Sequence, residues 1–138
     1  MTWITASPWV YPALEALHIA GVALLLGSLV VFELRVWGRA RGLGAEPLAR
    51  LALPVTLTGF ALAASSGLVM FAGHPAELIG NRAFLAKMVL LAVLGANAAL
   101  FHARGSLARL DAVARGQTLV STLLWLAVIA AGRWIAYV

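Results

Sequence analysis

Hydrophobic residues in this chain fall into four long blocks, not into the two-residue alternation of a half-buried strand. The blocks cover residues 12–36, 48–71, 84–101 and 119–138, and most charged residues lie between them. Each block approaches the ~20 residues that carry a helix across a ~30 Å hydrocarbon layer at ~1.5 Å per residue. The pattern predicts an all-α membrane protein, with four transmembrane helices in an up-down bundle forming a single domain over residues 1–138.

Composition sharpens this. Of 138 residues, 63% are hydrophobic and 11% charged, and no soluble domain covers so much apolar surface with so few charges. The net charge of +5 would suggest nucleic acid in a soluble protein. Here the basic residues sit in short connections beside spans, without interleaved aromatics. They are read as topology signals and contacts to anionic headgroups, so the expected partner is the lipid bilayer and not nucleic acid. Cysteine is absent, which removes disulfides, thiolate metal sites and iron–sulfur clusters. Between Met1 and Phe32 there is no Lys or Arg, so the first block lacks the basic start of a cleaved leader and is expected to remain as a span.

The connection between spans one and two carries Arg35, Arg39, Arg41 and Arg50, and that between spans three and four carries Arg104, Arg109 and Arg115 against Asp111. The stretch between spans two and three has only Arg82 against Glu77. The positive-inside rule places both basic connections in the cytoplasm and both termini outside, as expected for a multi-pass protein of a bacterial inner membrane. Trp3, Trp9, Tyr11, Trp134 and Tyr137 then form the outer aromatic belt and Trp37 the inner one, with Trp125 mid-span in the packing. "LGSLVVFELR" in span one and "LGANAALFHAR" in span three match with one insertion, as a duplicated helical hairpin would.

Span one carries Glu15, His18, Gly21, Leu25, Ser28, Phe32 and Arg35 at steps of three and four, hence on one face. Span two carries Thr56, Gly59, Ala63, Ser66 and Met70 in the same way. Such faces are expected to pack on other helices, since lipid offers polar groups no partner. Pro54 is expected near the beginning of span two, where a missing amide costs little.

A charge at membrane depth costs ~2.5–3.5 kcal/mol or more, so each one is a site candidate. Counted by helical rise, Glu15, His18, Lys87 and Arg133 gather in the outer half, where the loop with His74 and Glu77 also opens. Two cations with one carboxylate suit an anionic group: a haem propionate, a lipid phosphate or a small anion. Toward the inner side, Glu33, Arg35 and His102 are expected at the interface, paired or solvated, and Asn97 in an interhelical hydrogen bond. One haem b is the cofactor considered, with His18 as axial ligand, His74 as a second if the loop folds inward, and Lys87 or Arg133 near the propionates. His18 and His102 cannot share an iron, because their depths differ by ~18 Å. A copper or zinc ion would need Glu15, His18 and His74 (or Glu77) to converge. No HExxH, P-loop, GxSxG or dinucleotide fingerprint occurs, so hydrolase or transferase chemistry has no support.

On "LHIAGVALLLGSLVVFELRVWG" in span one, "NAALFH" in span three and the closing "AGRWIAY", the chain resembles an uncharacterised bacterial family of small four-span membrane proteins. More distantly, "LHIAG…LGS" is similar to the membrane domain of copper-resistance D proteins and related haem-handling bundles. Three readings stay open: a haem-binding redox or sensing bundle, a non-catalytic structural or accessory membrane protein, and a small anion or metabolite transporter. The last would act as a homodimer or within a larger complex, because four short helices enclose little volume.

Overall fold

The computed structural model describes residues 8–138, so Trp3 lies outside the described residues. Four long helices, α1 (Val10–Val36), α2 (Ala45–Gly73), α4 (Arg82–Arg104) and α6 (Ala112–Trp134), form an all-α bundle, and each is long and apolar enough to cross a membrane. Two short helices interrupt the connections, α3 (Pro75–Ile79) and α5 (Ser106–Arg109), and a 3₁₀ turn at Ile135–Tyr137 follows α6. Large apolar side chains such as Leu57, Leu68, Val89, Leu100 and Leu123 remain exposed along the spans, as a lipid-facing surface requires. The connections rich in arginine lie at one end of the bundle, called here the basic end. The other is the terminal end.

The spans are longer than the apolar blocks because polar residues cap and begin them. Asp111 accepts from the amide of Ala114, which starts α6 seven residues before the apolar block and draws Arg115, Gln117 and Thr118 into the helix. Asn81 accepts from the amide of Phe84 and so caps α4, while its Nδ2 donates to the carbonyl of Ile135 at 2.8 Å and fastens the start of α4 to the end of α6. Gly105, at φ 75°, ends α4 in the left-handed conformation that glycine adopts freely.

The bundle is two hairpins. In the first, α1 and α2 pack along the two faces expected from the sequence, with Gly21, Leu25, Phe32, Gly59, Ala63 and Ser66 all buried. Contact is backbone to backbone: a Cβ on Gly21 would stand 2.6 Å from the nitrogen of Ala63, and one on Gly59 would stand 2.5 Å from that of Leu25. Farther toward the basic end, Ser28 and Thr56 share a 2.6 Å hydrogen bond. In the second hairpin α4 packs against α6. The hairpins meet mainly between α1 and α6, and also where Phe32 and Phe101, matched residues of the two similar segments, touch edge to face. Phe60 and Trp125 make a further edge contact between α2 and α6.

Pro54 departs from expectation. Because α2 already begins at Ala45, the proline lies inside the helix and not at its start. It has no N–H to give the carbonyl of Arg50, so one rung of the α2 ladder is missing.

Candidate functional site

Of the four ionisable residues expected to gather near the terminal end, the structure brings two together. His18, half-buried on α1, has its Nδ1 2.8 Å from the carbonyl oxygen of Ala63 on α2. A carbonyl only accepts, so the ring proton is on Nδ1 and the lone pair is on Nε2. That Nε2 faces Nζ of Lys87 on α4 at 3.5 Å and accepts a long hydrogen bond from it. Ser66, whose hydroxyl lies 3.4 Å from Nδ1, and Gly67 close the α2 side of the ring. The Lys87 side chain then passes beneath Gly132 of α6, where an added Cβ would lie 3.4 Å from Nζ. All four long helices thus contribute to this one place.

The charge balance here is uneven. Lys87 forms no ion pair with a carboxylate among the described residues, and its three donors meet one imidazole lone pair. Arg133 does not join it. That side chain is exposed, donates to the Tyr137 hydroxyl at 3.1 Å and lies over the Tyr137 ring. Glu15 is exposed as well, off the packed face it was expected to share with His18.

His74 sits at the junction of α2 and α3, with its ring edge-on to Tyr11 and Nδ1 3.6 Å from Glu77. The convergence of Glu15, His18 and His74 does not form: no group of three or more such side chains able to hold a metal occurs among the described residues. The reason is local, since the His18 ring is turned across the bundle to Ala63 and Lys87 while His74 is held by its own neighbours.

Toward the basic end, Glu33 corrects the expectation of a paired or solvated interfacial residue. It is 4% exposed, buried between α1 and α6, and accepts a 2.6 Å hydrogen bond from the Thr122 hydroxyl. Arg35 does turn outward, donating from Nε to the carbonyl of Leu43. Asn97 makes the interhelical bond expected of it, from Nδ2 to the carbonyl of Gln117 at 2.9 Å. His102 is exposed. Beyond the spans, Arg104 grips Asp111 with both guanidinium nitrogens, and this hold keeps the Asp111 carboxyl down at about 2.

The sequence reading missed Thr122, Gln117 and Gly132. For Thr122 a signal was present: Thr118, Thr122 and Trp125 recur at steps of four and three, which marks the inward face of α6. Compared with known proteins, the chain matches no family model, no curated protein and no solved structure.

Proposed function

We propose that this integral membrane protein is a ligand-binding bundle whose His18–Lys87 pair receives the anionic oxygen group of an amphiphile, a phospholipid headgroup or a haem propionate. The observation that carries the reading is the unbalanced ammonium of Lys87. At membrane depth it has donors to spare and no carboxylate partner among the described residues, and an anionic oxygen satisfies both needs. His18 fixes the position of Nζ, and the bare backbone of Gly132 leaves it room. In this reading the basic connections face the cytoplasm of a bacterial cell and the site opens to the outer leaflet.

One observation favours a second reading, haem b with His18 as ligand. A metal-binding histidine typically donates its other ring N–H to a carbonyl, as Nδ1 does to Ala63. An iron about 2 Å from Nε2 would need Lys87 to turn aside toward a propionate, however, whereas a headgroup needs no such movement.

The test uses detergent-purified protein. Native mass spectrometry with added phosphatidylglycerol is expected to show retained lipid, weakened about tenfold in Lys87→Gln, which corresponds to about 1.4 kcal/mol. Thr58→Val, which removes a hydroxyl bonded within α2 to the carbonyl of Pro54, should bind as the wild type does. A Soret band after haem addition that disappears in His18→Ala would assign the ligand to haem instead. Unchanged lipid retention in Lys87→Gln, with no Soret band, overturns both readings. The same spectra give the mass of the assembly and so test the homodimer or larger complex.

A further inference from the structure

Glu33 stands in a second polar place, unconnected with His18 and Lys87. A cavity of about 60 Å³ lies beside it, lined also by Asn97 and His102 of α4 and by Gln117 and Ser121 of α6. One water needs roughly 10–15 Å³ of such volume and two or more polar partners, so the cavity has room and partners for more than one. A larger groove of about 420 Å³, lined by Glu46, Arg50 and Pro54, lies at the basic end. Leu53 and His102 line both, so the cavity and the groove adjoin across these two residues.

Among the described residues no cation answers the carboxyl. Around the cavity, α1 contributes Glu33 as its ionisable group, α2 contributes Leu53, α6 contributes hydroxyls and an amide, and α4 contributes Asn97 and His102. Arg35, two residues along α1, is bonded to Leu43. Glu46 and Arg50 reach only the outer groove. A carboxylate buried within a membrane span, with the hydroxyls of Thr122 and Ser121 for its donors, carries a large desolvation cost that a bound proton removes.

We propose that Glu33 is a proton-binding site, loaded and emptied from the basic end of the bundle through the water-holding cavity and past His102. The O–H bond of the neutral acid forms and breaks at the Glu33 carboxyl. The proton passes to and from cavity water, and the His102 imidazole exchanges it with the groove.

Infrared spectroscopy of the full chain in lipid nanodiscs tests this. Glu33 is the buried carboxyl among the described residues, and a protonated-carboxyl band at neutral pH is assigned to it by its loss in Glu33→Gln. The band is expected in the wild type, to shift in deuterated buffer, and to be lost in Glu33→Gln. In His102→Ala it should persist while its shift slows severalfold. Labelling of the wild type by a hydrophobic carbodiimide, mapped to Glu33 and declining as pH rises, supports the site even where Glu33→Gln does not fold. Absence of both the band and the label at neutral pH overturns the proton site. A wild-type exchange rate in His102→Ala overturns the route.

Discussion

The two hairpins are built by different means. In α1–α2 the helices touch through their backbones at Gly21 and Gly59, and small residues let side chains interlock along the whole crossing. In α4–α6 the ends are tied by polar bonds, through Asn81 to Ile135 at one and through Arg104 to Asp111 and Asn97 to Gln117 at the other. Few residues of α4 and α6 are buried between these ties. The first hairpin is therefore a packed scaffold, and the second is a clasp laid against it. Both intramembrane polar places lie where clasp meets scaffold: Lys87 reaches His18, and Thr122 reaches Glu33.

The sharpest way to break the contrast is Gly59→Leu. Any side chain there must push apart two backbones, so the expected loss is at or above the upper end of the ~1–3 kcal/mol typical of overpacking. Thermal unfolding in detergent, followed by circular dichroism, measures it. Gly95→Leu on α4, where an added Cβ meets nothing within 4 Å, should unfold close to the wild-type temperature. Equal losses at the two positions would end the distinction between scaffold and clasp. Removing a polar contact between the hairpins should cost less. Thr122→Val leaves a buried carboxyl oxygen without its donor, at about 1–3 kcal/mol in the same measurement. Asn81→Ala removes a helix cap together with the tie to Ile135, for about 1 kcal/mol and faster amide exchange in the first turn of α4.

The smallest effect concerns pH. Because Arg104 lowers the Asp111 carboxyl below its ordinary range, this tie contributes fully above that range and is lost as pH falls through about 2. An NMR titration of Asp111 should show that midpoint, and Arg104→Gln should move it up toward an ordinary carboxylate. A midpoint unmoved by Arg104→Gln would remove the ion pair from the clasp.

Much of the scaffold was legible in the sequence, and little of the clasp. Steps of three and four name Gly21, Leu25, Gly59 and Ser66 because burial in α1 and α2 follows a continuous stripe. The reach of α6 back to Ala112 was not legible, since Arg115 and Gln117 look like loop residues until Asp111 is seen to cap them. The pairing of His18 with Lys87 was legible only as a shared depth. Rise per residue gives height along a span but not the direction in which a side chain points around it. Glu33 was misjudged for the same reason. Near a span end it looks interfacial, and only the facing position of Thr122 shows it turned inward.

The missing rung at Pro54 has a mechanical consequence. A helix bends most readily where its hydrogen-bond ladder is broken. In α2 that weak point is one residue from Leu53, at the seam between the Glu33 cavity and the groove. The stiff glycine crossing holds the far part of α2 in place, so thermal bending is concentrated below it. A flexure there would swing the first turns of α2 and alter the width of the seam beside His102.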